Sequence, residues 1–291
     1  MPRKAQKAEK AADRGPAFSP RAASPEGREV DPPSDERTAK APPASLKSRM
    51  VRTAFGRMHF YAGGAAPPAQ PPVILIHGLV IASRYMLPTA HHLAPLCPVY
   101  AIDLPGYGRS DKPASSLTLP ELADSVVEWM GALSIPRAHF AANSFGCQVL
   151  SHLAVRHPQR VDRLVFQGPT VDPAARTLLR QVGRIIRNSR EESPRLGLLM
   201  AKDYWQAGIK RIVATIRMAL EDRIEERLPL INAPALVMRG ARDPLVPQAW
   251  ADTVTRLLPH GRVVVLPRCG HTINYTSPAE FVGVMRPFLH L

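Results

Sequence analysis

Six short, mainly apolar runs are the feature that most limits how this chain can fold. They are separated mainly by helix-length segments and comprise residues 72–77, 99–103, 138–143, 161–167, 235–239 and 262–266. Apolar runs without alternation are typical of strands buried on both faces, as in parallel sheets. Strands that alternate with helices predict an α/β protein with a mostly parallel central sheet flanked by helices. In such sheets the functional side chains follow the carboxyl ends of the strands.

The alternation is interrupted at residues 172–229, where the pattern is helical throughout. We therefore predict a core formed by residues 49–171 and 230–291, with a helical insertion between them. Near the start of the insertion, helical spacing places apolar side chains on one face (Leu178, Leu179, Val182, Ile185, Ile186) and arginines on the other (Arg176, Arg180, Arg184, Arg187). We expect the arginines to form a solvated face, which is commoner than the alternative, an anion-binding site.

Residues 1–48 are predicted to form a disordered tail. They are rich in Ala, Pro, Ser and mixed charge, and large apolar side chains are isolated. Such a segment buries too little apolar surface to offset the entropy lost on ordering.

Charge and cysteine content limit the class of protein. The net charge is +14, but the first 50 residues hold 11 Lys and Arg against 7 Asp and Glu, so most of the excess lies elsewhere. Without a basic patch motif, we expect no nucleic-acid partner.

No apolar run reaches 18 residues and the start lacks a signal-peptide core, so we expect no membrane span and no secretion. Three cysteines without a paired motif favour a reducing, cytoplasmic location and no metal. The alternative is a mitochondrial transit peptide at the N-terminus, although acidic residues are interspersed in that segment.

A serine stands where a predicted strand turns at once into a predicted helix. The segment reads Ala142-Asn143-Ser144-Phe145-Gly146. A tight strand-to-helix bend exposes the hydroxyl at its apex, at a helix N-terminus that favours negative charge. This is close to the nucleophile elbow pattern Gly-x-Ser-x-Gly, with alanine replacing the first glycine. The alternative is an ordinary helix-capping serine.

Two further polar residues follow separate predicted strands. Asp243 comes after the run that ends at residue 239, and His271 after the run that ends at residue 266. A serine hydroxyl needs a base with a pKa near 7, and the imidazole needs a carboxylate to fix its tautomer. Ser144, Asp243 and His271 are therefore the predicted catalytic triad.

This order of residues, with the elbow, resembles the alpha/beta-hydrolase superfamily. The resemblance covers about residues 50–291 and includes His77-Gly78, the loop Asp103-Leu-Pro-Gly-Tyr-Gly-Arg-Ser110, Gly240-Ala-Arg-Asp243 and Gly270-His271. It implies that residues 172–229 form a cap domain and that no cofactor is needed. It also implies an oxyanion hole formed by the backbone N–H groups of Leu79 and Phe145. Asp172 is the alternative acid, because some members of the family place it after the preceding strand.

The expected function is hydrolysis of a carboxylic ester of a small molecule through an acyl-enzyme intermediate. Two enzymatic alternatives use the same triad: hydrolysis of a carbon–carbon bond, suggested by Asn143 beside Ser144, and acyl transfer to an acceptor other than water. A third alternative is a non-catalytic ligand-binding protein on the same fold, because fold does not fix function. The sequence does not determine the oligomeric state.

Overall fold

The predicted mostly parallel sheet is present at the centre of the molecule. The computed structural model describes residues 45–64, 70–190 and 192–291. The strands are β1 (Lys47–Thr53), β2 (Gly56–Gly63), β3 (Val73–Ile76), β4 (Val99–Ile102), β5 (Ala138–Asn143), β6 (Val161–Gln167), β7 (Ala235–Gly240) and β8 (Gly261–Leu266). Their order in the sheet is β1-β2-β4-β3-β5-β6-β7-β8. β1 pairs with β2, and β2 with β4, in antiparallel fashion, whereas β3 to β8 form parallel pairs.

Residues 1–44, most of the predicted tail, lie outside the described residues. The predicted tail boundary at residue 48 is two residues too late, because β1 already begins at Lys47 and pairs with β2. A hairpin therefore opens the sheet.

Helices cover both faces of the sheet. They are α1 (Leu87–Leu93), α2 (Leu119–Ala132), α3 (Phe145–Arg156), α4 (Leu178–Asn188), α5 (Pro194–Ala207), α6 (Ile209–Glu221), α7 (Ile224–Arg227), α8 (Gln248–Leu257), α9 (Ile273–Thr276) and α10 (Pro278–Leu289). Ile74, Ile76 and Phe140 point into one core with α2, α3 and α8. Val73 and Leu75 point into a second core with α1 and α10. Burial on both faces explains why these strands are continuously apolar.

The sequence contains two capping-box patterns, but only one is formed. At the start of α2, the Thr118 hydroxyl accepts from the Glu121 N–H, while the Glu121 carboxylate accepts from the Thr118 N–H. At the start of α10, Ser277 caps no backbone N–H and its hydroxyl instead lies 3.4 Å from Cys269 Sγ.

The helical insertion comprises α4 to α7. Of the four arginines expected on a solvated face, Arg180 and Arg187 are exposed as expected. Arg176 and Arg184 are half-buried and paired with Glu225 and Asp172, so these two arginines are not on a solvated face. The apolar side chains of α4 face solvent instead. Among the described residues, no helix is long and apolar enough to span a bilayer.

Candidate active site

The nucleophile elbow lies between β5 and α3. Ser144 has φ 55° and ψ −120°, a strained backbone for a residue with a side chain, and its N–H donates to Gln167 O over 3.0 Å. Glycine is required at position 146, because a Cβ there would lie 2.6 Å from the carbonyl oxygen of His77. Position 142 is fully buried, and its alanine is accommodated in β5. The missing first glycine of the pattern therefore does not prevent the bend.

His271 and Asp243 form a buried pair. His271 Nδ1 lies 2.7 Å from Asp243 Oδ2. The other carboxylate oxygen of Asp243 accepts from the N–H groups of Leu245, at 2.8 Å, and Val246, at 3.2 Å. These contacts fix the carboxylate, which in turn holds the imidazole with Nδ1 as the donor.

The alternative acid, Asp172, is not at His271. Its carboxylate accepts from Arg184 at 2.8 Å and from the N–H of Ala174 at 2.9 Å. Of the two carboxylates weighed from the sequence, the structure brings Asp243 to the histidine.

The environment of His271 favours its protonated form. Burial, the largest single effect, lowers the pKa of the imidazole. The charge and hydrogen bond of Asp243 together with the charge of Glu192 outweigh burial, so the pKa is raised above the ordinary value of 6.5. His271 Nε2 is buried and has no hydrogen-bond partner in the part of the chain that the structure describes. This nitrogen is therefore free to take a proton.

The Ser144 hydroxyl is half-buried and lies 3.4 Å from the Thr170 hydroxyl. No hydrogen bond joins it to His271 in this structure. In structures without substrate, catalytic hydrogen bonds are often long or poorly aligned, so this geometry is compatible with Ser144 as the nucleophile. Thr170 was missed by sequence reasoning: it has no motif and becomes adjacent to Ser144 only through the pairing of β5 with β6.

The two expected oxyanion donors follow the neighbouring strands β3 and β5. Phe145 is the first residue of α3, where backbone N–H groups have no intrahelical acceptor. Leu79 follows Gly78 in the loop after β3. Neither N–H donates to another residue among those described. Both are therefore available to an oxygen of a bound molecule.

A chain of buried hydrogen bonds connects the loop after β3 with the histidine loop. The Tyr85 hydroxyl accepts from Gly78 N at 2.7 Å and donates to Asn143 Oδ1 at 2.8 Å. Asn143 Nδ2 then donates to Gln167 Oε1 at 2.7 Å, and the Gln167 amide donates to the carbonyl oxygen of His271. We call Tyr85, Asn143 and Gln167 the polar relay. Only a weak pattern in the sequence indicated the polar relay, because Asn143 and Gln167 are polar residues at the ends of buried strands.

Several other candidates have structural contacts. Cys147 Sγ lies 3.2 Å from the carbonyl oxygen of Ala142, as expected for helix–strand packing. His77 Nε2 accepts from Leu104 N at 3.0 Å. Asp103 accepts from the N–H of Arg109 at 2.9 Å, a contact within the loop 103–110.

Similarity to known proteins agrees with this architecture. A profile of the alpha/beta hydrolase family matches residues 73–284. The chain belongs to the alpha/beta hydrolase family. The expected superfamily and fold class are thereby confirmed, and several of its relatives are hydrolases or esterases.

Two sequence relatives and one solved structure illustrate the similarity. A putative carbamate hydrolase, RutD, of Yersinia enterocolitica is 26% identical over 80% of this chain and 92% of its own length. Carboxylesterase YbfK of Bacillus subtilis is 24% identical over 83% of this chain and 86% of its own. The crystal structure of a hydrolase from Pseudomonas aeruginosa PA01 superposes with a TM-score of 0.70 at 23% identity, over 84% of this chain and 98% of the other.

Proposed function

We propose that this alpha/beta hydrolase cleaves a carboxylic ester of a small molecule through an acyl-enzyme formed on Ser144. The observation that carries the proposal is the state of His271. Its Nδ1 is paired with Asp243 at 2.7 Å, while Nε2 has no partner among the described residues, and a serine occupies a strained elbow nearby. A base with one nitrogen fixed and the other free is what proton transfer from a serine requires.

In the first half-reaction, Ser144 Oγ attacks the ester carbonyl carbon while its proton passes to His271 Nε2. The carbonyl oxygen becomes an oxyanion, which accepts hydrogen bonds from the N–H groups of Leu79 and Phe145. Asp243 stabilises the imidazolium through Nδ1–H. The tetrahedral intermediate collapses, its carbon–oxygen bond to the alcohol breaks, and the proton on Nε2 goes to the departing alkoxide.

In the second half-reaction, a water molecule gives a proton to His271 Nε2 and attacks the acyl carbon. The second intermediate releases a carboxylic acid as the proton returns to Ser144 Oγ. The catalyst is restored and needs neither metal nor cofactor for this sequence of proton transfers.

An ester is favoured over a carbon–carbon bond by the environment of Asn143. This residue was the reason for considering a diketone substrate, but its side chain is buried. Its oxygen accepts from Tyr85 and its nitrogen donates to Gln167, so both ends of the amide are engaged within the fold.

Labelling with a fluorophosphonate probe tests the nucleophile. We expect labelling of the wild type and none of Ser144→Ala. Ser134→Ala is the matched control, because Ser134 also has φ 55° but is exposed and follows α2 rather than β5. A folded wild type that stays unlabelled would favour the non-catalytic binding protein.

The substrate class is tested with p-nitrophenyl esters of graded acyl length against a vinylogous diketone. Turnover of the esters alone supports the proposal. Faster turnover of the diketone, or a product ester formed with an added alcohol, would favour the carbon–carbon hydrolase or the acyltransferase.

A further inference from the structure

Helix α4 carries an apolar stripe that faces solvent. The stripe consists of five side chains whose exposed fractions run from 43% to 85%: Leu178, Leu179, Val182, Ile185 and Ile186. With 3.6 residues per turn, these positions occupy one sector of the helix about 120° wide. We call this set the α4 stripe. A contiguous apolar stripe in water is unusual enough to indicate a binding surface.

Polar contacts on the inner side of α4 hold the stripe outward. Gln181 Nε2 donates to the carbonyl oxygen of Ala175 at 2.8 Å. Arg184 donates to Asp172 at 2.8 Å and to the carbonyl oxygen of Leu245 at 3.2 Å. Turning the stripe inward would break these bonds and separate Arg184 from Asp172. A partner for the stripe would therefore come from outside the described residues.

Helix α5 adds two exposed apolar side chains. Leu198 is 76% exposed and Trp205 is 89% exposed. They are seven positions apart and so lie on one side of α5, with Lys202 between them. A tryptophan with an apolar ring and a polar N–H is suited to the boundary between water and lipid.

The exposed charges described in this region are all positive, while Glu191 lies outside the described residues. Among the described residues of the span 173–207, the exposed ionisable side chains are cations: Arg180, Arg187, Arg190, Arg195 and Lys202. The acidic Asp203 is buried and bonded to Arg84 and to the N–H of Ala82. A second copy docking through the same surface would oppose cations to cations, which is unfavourable. The partner must therefore be apolar beneath and anionic at its surface.

We propose that α4 and α5 dock on an anionic lipid bilayer, with the α4 stripe entering the boundary between headgroups and acyl chains. A helix with a wide apolar sector and an arginine-rich opposite face has the composition of an interfacial helix. Long arginine and lysine side chains keep their charges at the phosphate level while the helix lies in the surface. The binding is peripheral and does not depend on the hydrolytic function.

Flotation of the full-length protein with vesicles tests the proposal. We expect it to float with equimolar phosphatidylcholine and phosphatidylglycerol, to stay behind with phosphatidylcholine alone, and to be released by high salt. Emission from Trp205 should move to shorter wavelength on binding. Trp129 and Trp250 are buried, so the change reports the exposed indole.

Two variants separate the apolar and electrostatic contributions. Leu179→Ser with Ile186→Ser should weaken vesicle binding by at least about tenfold, because two large side chains no longer leave water. Arg180→Gln with Arg187→Gln should weaken it by about tenfold, since each cation near the surface contributes on the order of 1 kcal/mol. Met50→Ser and Arg262→Gln, exposed positions on the sheet, are the matched controls and should bind as the wild type does. Unchanged thermal unfolding shows that each variant folds.

Three results would overturn the proposal. The first is that the wild type fails to float with anionic vesicles. The second is that both the stripe variant and the arginine variant float as well as the wild type, which would assign binding to other cations. The third is that the protein is a dimer in solution and that the stripe variant dissociates it. The last result would make a second copy the partner.

Discussion

The imidazole of His271 lies against the backbone of Gly168. A Cβ built at Gly168 would be 2.8 Å from His271 Cε1 and 3.0 Å from Nδ1, closer than real Cβ contacts. Gly168 also has φ +58°, a conformation that residues with side chains rarely adopt. The backbone at the end of β6 thus limits the position of the His271 imidazole.

Gly168→Ala should therefore displace the imidazole. We expect kcat/KM to fall by about 10²-fold or more, because a shift near 1 Å is enough for such a loss. Ester turnover and the free energy of unfolding would be measured together. Gly183→Ala in α4 is the matched control: a Cβ there meets nothing within 4 Å, so stability should hold or rise by about 0.5–1 kcal/mol. Equal activity of the two variants would contradict the placement of His271.

The pH profile should report the raised pKa of His271. The proposed base acts only when neutral. Therefore kcat/KM should decrease as the pH is lowered, with a midpoint above 6.5. Asp243→Asn removes the charge and hydrogen bond that raise the pKa and leaves burial, which lowers it. The acid limb should move to lower pH while turnover drops by about 10⁴-fold, as the tautomer is no longer fixed.

Asp172→Asn is the control for that experiment. Asp172 pairs with Arg184 rather than His271, so the acid limb should stay in place. If the acid limb of the pH profile moved in Asp172→Asn but stayed in place in Asp243→Asn, Asp172 rather than Asp243 would be the partner of His271.

The polar relay should behave as a coupled unit. Asn143→Ala leaves the Tyr85 hydroxyl and the Gln167 amide oxygen buried without their partner, and we expect it to lower the free energy of unfolding by about 1–3 kcal/mol. Urea unfolding of Tyr85→Phe, Asn143→Ala and the double variant measures the coupling. Losses that simply add would show that the two side chains act independently.

The cysteines should be unreactive in the native protein. Burial raises the pKa of the Cys97 thiol to about 12, and raises those of Cys147 and Cys269 as well. Since the thiolate is the nucleophile, a disulfide reagent at pH 8 should modify none of the three until the protein unfolds. Rapid native modification that abolishes turnover would instead place a reactive thiol in the site.

The site was largely readable from the sequence because its three proposed residues follow strand ends. Parallel strands bring their carboxyl ends to one edge, so Ser144, Asp243 and His271 could be grouped before any contact was known. Thr170 and the polar relay could not be found in this way. Their hydrogen bonds join residues up to 128 positions apart, which no local pattern encodes.

By itself, the sequence determined the sheet, the elbow and the existence of an amphipathic helix at 178–188, because apolar periodicity and turn chemistry are local properties. The tertiary structure decided which carboxylate pairs with His271, and which side of α4 faces the protein. Periodicity shows that a helix has two faces, but the inward face is chosen by distant partners. Here Asp172 and the carbonyl of Leu245 hold Arg184, which turns the apolar side of α4 toward solvent.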